Sequence, residues 1–282
     1  MSRVRRGLLI YLPLLLCSAV ILLPLVYMLC ASIKTNEEFF TSPFLPRGSG
    51  FLGIAWDHLT SVHYRRLFYD YAFGNNIINS CFLASATSIL ATLLTAMGGY
   101  ALARFTFRGR SLLMGLVLGT LVLPNVLLLA PSYQLLYRLG LLDHYGGVIL
   151  PLAAPAFGVY LFRQAFIAGL PRELLEAGRI DGCGEMRLFF SVALPMVRPM
   201  VGAFLLITYV GTWNNFIWPQ IVLQTPEKMP LSVAIAQLRG VYFQDYGMMM
   251  AGTAVSVAPV LVLFLLLQRE FIAGLTAGAV KS

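Results

Sequence analysis

Six long apolar runs organise this sequence, separated by short stretches that hold nearly all of its charge. They fall at 8–30, 76–102, 111–137, 146–166, 199–222 and 249–268. Each is long enough to cross about 30 Å of hydrocarbon as a helix, which needs roughly 20 residues. The pattern predicts an all-α membrane protein of one domain with six transmembrane helices. Pro124, Pro131, Pro151 and Pro155 interrupt two of the runs. Such breaks are tolerated where neighbouring helices satisfy the freed backbone groups. The first run follows Arg3, Arg5 and Arg6 and resembles a signal peptide. From Gly7 to Cys30 it is 24 residues long, against about 7–15 for the apolar part of a signal peptide. Bulky residues precede Cys17 and Cys30, which argues against a lipoprotein cleavage site. The expectation is an uncleaved first span.

An even number of spans puts both termini on one side, and the loop charges choose the side. Of the 20 Lys and Arg, 13 fall on the side of the termini. The short loop ARFTFRGRS (103–111) carries three arginines and no acid. The excess of basic residues in cytoplasmic loops predicts cytoplasmic termini. It also predicts a cytoplasmic loop at 168–195 and outer loops at 31–74 and 223–248. The first outer loop has four acids, four bases, and many aromatics and prolines, which reads as a small folded or membrane-hugging cap.

Composition agrees with this reading. The chain is 59% hydrophobic and 11% charged, with a mean hydropathy of +0.79. A soluble domain carries about 25% charge. In a soluble protein the net charge of +8 would suggest nucleic acid. Here membrane topology accounts for it, and no nucleic-acid partner is expected. Cys17, Cys30, Cys81 and Cys183 have neither metal-site nor disulfide-framework spacing. His58, His63 and His144 fall in outer loops without metal spacing, and no catalytic constellation is visible. A chain that hydrolysed ATP would carry GxxxxGK[ST] between a strand and a helix. The nearest echo, GLTAGAVKS at 274–282, has Val280 where glycine is required.

The charge is densest where it is least expected. PRELLEAGRIDGCGEMR (171–187) holds seven of the 32 charged residues between long apolar runs. Pro171 followed by acids reads as a helix start. Leu174, Ala177, Gly178 and Asp181 share a face by spacing. Gly182 and Gly184 break the helix, Asp181 is placed to cap the next one, and Met186, Phe189 and Phe190 begin a second apolar stripe. The segment therefore reads as a helix, a glycine elbow and a second helix on the cytoplasmic face. Leucine and small residues among charges of both signs suit a protein partner. An ordinary interfacial amphipathic helix is the plainer alternative, although such helices are usually more basic and less acidic.

EAGRIDGCGEMRLFFSVALP (176–195) resembles the EAA loop of ABC-importer permeases: Glu-Ala-Ala, three residues to a glycine, then an apolar helix closing in Leu-Pro. Glu176, Ala177, Asp181, Gly182, Leu194 and Pro195 match; Gly178 replaces the second alanine, and Gly184 stands where a small polar cap is common. GTWNNFIWP (211–219) and FIAGLTAGAVKS (271–282) resemble the fifth span and the tail of carbohydrate-uptake permeases, nearest the maltose-transporter G-type subunit. The resemblance implies a type I importer fold in the bacterial inner membrane. It implies a second permease subunit, a separate ATPase dimer that carries ATP and Mg, and an extracytoplasmic sugar-binding protein. This chain itself would bind no cofactor and catalyse nothing. Glu176, Ala177, Gly178, Asp181, Gly182, Leu194 and Pro195 would form the coupling segment that docks on the ATPase.

The spans hold almost no ionisable residues away from their ends, unlike an ion-coupled carrier. Asn79, Asn125, Trp213, Asn214, Asn215 and Trp218 are candidates to line a sugar path, because sugars are bound by neutral hydrogen-bonding groups and aromatic faces. The alternative is that they join helices and anchor the interface. Sugar phosphates such as glycerol phosphate, or peptides, are second substrate classes. A phosphate-bearing substrate would favour a lysine or arginine along the path. A stand-alone secondary carrier would show internal repeats and buried charges, and neither is visible.

Overall fold

In a computed structural model, residues 3–238 and 245–277 are described. Residues 239–244, with Arg239 in the stretch the sequence assigns to a second outer loop, and 278–282, with Lys281, lie outside the described residues. In chain order the helices are α1 (Arg3–Ser32), α2 (Asn36–Thr41), α3 (Val62–Tyr69), α4 (Phe73–Arg104), α5 (Arg110–Val122), α6 (Leu129–Arg138), α7 (Tyr145–Ile149) and α8 (Ala156–Gly169). After these come α9 (Arg172–Ile180), α10 (Glu185–Leu188), α11 (Leu194–Met196), α12 (Arg198–Trp213), α13 (Ile217–Val222), α14 (Leu231–Gln237) and α15 (Tyr246–Ala277). β pairing among the described residues is confined to two isolated bridges, Lys34 with Leu59 and Arg47 with Ile54.

Three helices are long and apolar enough to cross a membrane unbroken: Leu9–Ser32, Phe73–Arg104 and Tyr246–Leu266. Three further apolar stretches are pairs of helices joined at a sharp break. Arg110–Val122 meets Asn125–Arg138 at 101°, Tyr145–Leu152 meets Ala156–Gly169 at 44°, and Glu185–Met196 meets Arg198–Trp213 at 84°. With each pair taken as one span, the described residues hold up to six; at 84°, Glu185–Met196 lies nearly perpendicular to Arg198–Trp213 and belongs with the charged segment before it.

The runs at 111–137 and 146–166 are therefore not single helices. Leu123 is extended (ψ 126°) before Pro124, which removes an amide donor and disfavours helix in the residue preceding it. Pro155, at ψ 132°, makes the second break. The run at 199–222 also divides. α12 stops at Trp213, and the Trp218 amide donates to Asn215 Oδ1 at 3.3 Å as α13 begins.

The chain forms two compact units. The first holds 1–74 and 234–259. In it α1 leaves its apolar side chains exposed from Leu9 to Val26, as a helix with lipid for solvent does. The 31–74 segment folds as a cap. Lys34 is fully buried, its Nζ donating to the Ser42 carbonyl at 2.6 Å and lying 5.7 Å above the Tyr27 ring. His63 hydrogen-bonds through Nε2 to the Lys34 carbonyl at 2.7 Å, and its Nδ1 faces Asp245 at 3.4 Å.

The second unit holds 75–233 and 260–282. Its largest core gathers Tyr100 from α4, Phe162 and Phe166 from α8, Leu175 from α9, Leu188 from α10 and Phe204 from α12. A smaller core packs Leu83, Leu136, Val148, Trp218, Val222 and Leu223.

Candidate functional site

The charged segment folds as a helical knuckle. α9 has Pro171 at its N-cap, Glu173 in its first turn and Arg179 in its last, so both charges complement the helix dipole. It ends in a Schellman turn. The Cys183 amide donates to the Gly178 carbonyl at 2.9 Å, and the Gly182 amide to the Arg179 carbonyl at 3.0 Å. Gly182 has φ +79° with nothing within 4 Å of where a Cβ would sit. Backbone conformation, not space, calls for glycine there. Gly178 is the opposite case: a Cβ would lie 2.5 Å from Leu188 Cδ2. The missing methyl lets α10 close on α9.

Asp181 does not cap the second helix as its position suggested. It is the C-cap of α9, its amide donating to the Ala177 carbonyl at 2.9 Å. Gly184 begins α10 without a side-chain cap. The face that packs inward carries Leu175, at 3% exposure, while Leu174 is exposed. From α10 the chain runs through a π-helical turn (Phe189–Ala193) into α11, where Leu194 packs on the main core and Pro195 is exposed.

One carboxylate braces the knuckle. Arg179 Nε donates to Glu185 Oε1 at 2.7 Å, and the Tyr100 hydroxyl donates to Glu185 Oε2 at 3.3 Å. The bond to Glu185 raises the Arg179 pKa above its ordinary value. Tyr100 lies among Phe105, Phe166 and Phe189, so the brace runs from the glycine turn into the end of α4. Tyr100 and the Arg179–Glu185 pair escaped sequence reasoning because neither has a periodic signature. Outside this frame the knuckle presents Glu176, Ala177, Asp181 and Gly182, all exposed, with Leu174, Ile180 and Met186 at 41%, 87% and 58% exposure.

The neutral polar candidates divide. Asn79 Nδ2 donates to the Glu227 and Met229 carbonyls, and its Oδ1 accepts from the Tyr145 hydroxyl. Trp213 is buried and stacked on Tyr209, Trp218 lies in the smaller core, and Asn215 holds the start of α13. Asn125 and Asn214 are exposed, Asn214 with its Nδ2 on the Val210 carbonyl.

On the side opposite the knuckle, the 223–231 strand of chain is pinned from two directions. Asp143, at φ +58°, accepts the Gln224 and Thr225 amides, the Thr225 hydroxyl and Lys228 Nζ at 2.6–2.9 Å. Lys228 first, then Thr225 and the amides, hold its carboxyl well below the usual carboxylate range. From α4, Asn76 donates to the Met229 carbonyl and Ser80 accepts the Leu231 amide. Among the described residues no cluster of His, Cys, Asp and Glu is built to hold a metal.

The described residues form a helical membrane protein whose apolar helices share a core with a charged, glycine-hinged knuckle. Residues 88–272 match the family described as the binding-protein-dependent transport system inner membrane component, and this chain belongs to that family. It is a multi-pass permease of the inner membrane, and ATP hydrolysis in such importers falls to a separate subunit. The arabinooligosaccharides transport system permease protein AraQ of Bacillus subtilis is 38% identical over 203 residues, 72% of each chain. The diacetylchitobiose uptake system permease protein NgcG of Streptomyces coelicolor is 34% identical over 95% of this chain and 87% of its own. The sn-glycerol-3-phosphate transport system permease protein UgpE of Pectobacterium atrosepticum is 32% identical over 96% and 97%. A chain from the crystal structure of a bacterial ABC transporter involved in the import of the acidic polysaccharide alginate superposes with a TM-score of 0.80, at 22% identity, covering 96% of this chain and 99% of that one.

Proposed function

We propose that this subunit carries a sugar or oligosaccharide across the membrane, delivered by an extracytoplasmic binding protein and driven by an ATPase dimer docked on the knuckle. ATP and Mg belong to the ATPase, and this chain binds neither. Both termini and the knuckle face the cytoplasm, on the strength of the arginine-rich 103–111 loop. The observation that carries the docking reading is the shared core. Leu175 and Leu188 of the knuckle pack with Tyr100 of α4, Phe162 and Phe166 of α8 and Phe204 of α12. A body fused to three spans transmits a push from below as a movement of those spans, as rigid elements with two arrangements do. Glu176, Ala177, Asp181 and Gly182, with Leu174, Ile180 and Met186 around them, form the docking face. Gly178 closes the knuckle, and Leu194 and Pro195 lead it into α12.

Two relatives named for oligosaccharide uptake support the sugar reading. Asn125 and Asn214 are the path candidates whose side chains remain exposed. Asn79, Asn215, Trp213 and Trp218 serve the walls of a path by holding its shape. Glycerol phosphate is the second reading, favoured by the relative named for its transport at 32% identity.

Purification of the tagged chain in mild detergent tests the proposal. An ATPase and a second permease subunit co-purify, and the binding protein encoded with them, screened against sugars and glycerol phosphate, names the cargo. A chain that purifies alone and transports without ATP overturns it. Gly182→Asp leaves the protein in the membrane and abolishes transport; normal uptake by that variant removes the coupling assignment.

A further inference from the structure

At the root of the knuckle lies a cavity of about 410 Å³. It is lined by Arg104 at the end of α4, Arg110 at the start of α5, Ile167 at the end of α8, then Leu170, Pro171 and Arg172 entering α9. Three arginines thus converge from three helices. None makes an ion pair with any described carboxylate, Glu173 in the first turn of α9 included. Arg104 gives one guanidinium nitrogen to the Phe166 carbonyl, while its buried Nε has no partner. Glu173 lies near enough to Arg104 to offset part of this charge, but three cations with no ion pair between them still favour an anion, and the flat, multi-donor guanidinium is matched to phosphate.

A second hollow, of about 420 Å³, is formed by the same α4 and α5, with Phe107 of the loop between them at its near end. Ala101, Leu102, Leu113, Leu116 and Val117 line it, and its surface is almost entirely apolar. On α5, Arg110 shares a face with Leu113 and Val117 by i, i+3, i+7 spacing. A cationic cavity at the membrane boundary beside an apolar one within the membrane has the polarity of a phospholipid. Basic pockets between spans at this depth suit anionic head groups.

We propose that Arg104, Arg110 and Arg172 bind the phosphate of an anionic phospholipid, with an acyl chain laid along the apolar α4–α5 hollow. The bound phosphate bridges the ends of two spans to the first residue of the knuckle helix. Lipid composition thereby sets how firmly the knuckle is held.

The test is native mass spectrometry of the complete importer with phosphatidylglycerol or phosphatidylcholine of identical acyl chains, with and without excess inorganic phosphate. Phosphatidylglycerol is retained in preference. R110Q/R172Q weakens that retention about thirtyfold, at the usual contribution of each basic residue to anionic lipid binding. R108Q, which changes an exposed arginine of the same loop outside the cavity, leaves it unchanged. R110K/R172K, which keeps the charge but not the flat fork, retains more lipid than R110Q/R172Q and less than the native chain, which separates loss of the site from loss of the fold. Equal retention of the two lipids, or unaltered retention in R110Q/R172Q, overturns the proposal. So does displacement of the lipid by inorganic phosphate, which would mark a site for a free anion. Retention that appears only after the ATPase is stripped away also overturns it, because an acidic protein surface would then be the occupant.

Discussion

Arg179 and Glu185 meet at 2.7 Å across the glycine turn, and the second oxygen of the same carboxylate accepts the Tyr100 hydroxyl. Both members of the ion pair are close to half exposed, so the pair itself contributes about 0.2–1 kcal/mol. Its effect is geometric: it fixes α10 against α9 and both against α4. Glu185→Ala lowers thermal stability by about 1–3 kcal/mol, because it also strips the buried Tyr100 hydroxyl of its acceptor, and it lowers uptake per ATP hydrolysed. Uptake and ATPase rate, measured in the same vesicles, check this.

The two knuckle glycines fail differently when changed. Gly182→Ala is strained by its left-handed backbone, at a cost of about 1–2 kcal/mol. Gly182→Asn, which tolerates that conformation, costs less. Gly178→Ala forces Leu188 to move, and Leu188→Val in that background, which withdraws the crowded methyl at the loss of one methylene of core, recovers part of the loss. The amount of ATPase retained after detergent purification orders the four variants.

Asp143 and Lys228, 85 residues apart, close a latch over residues 224–228. Because the Asp143 pKa is depressed, the latch holds above the ordinary value of 3.8 and is lost only as pH falls through the lower folded value. Amide exchange at Gln224 and Thr225 therefore stays slow, intrinsic rates allowed for, between about pH 7 and 5. Asp143→Ala makes it fast across that range.

His58 and Glu38 titrate as partners on the cap. The one hydrogen bond they share, which Glu38 Oε1 accepts from His58 Nδ1, raises His58 above 6.5 and lowers Glu38 below 4.5. The His58 contribution is full below its unfolded value and disappears as pH rises through the raised one. The Glu38 contribution is full above its unfolded value and disappears as pH falls through the lowered one. NMR titration of the His58 ring gives a midpoint above 6.5, and Glu38→Gln brings it back down.

Local chemistry was legible where it acts over one turn of helix. Pro171, the first-turn Glu173 and Gly182 mark the ends of α9 in the sequence as they do in the structure. Pro124 and Pro155 were visible as interruptions, but a proline specifies a lost amide, not the 101° or 44° bend that packing then selects. Asn79, Tyr145, Asp143 and Lys228 lay beyond reach because the groups that satisfy them come from 66 to 150 residues away. Trp218 read as an aromatic face for a sugar, and in the structure it packs beside Val148 and Leu136, partners far from it in sequence.

The docking of the knuckle on an ATPase is most directly tested by a photo-crosslinking residue at Ile180, the most exposed apolar side chain of the knuckle. Irradiation of native membranes yields an adduct with the ATPase subunit, which weakens in Gly182→Asp, while the same probe at Ile78 of α4 yields none. An Ile180 probe that labels only lipid, with uptake intact, would contradict the account.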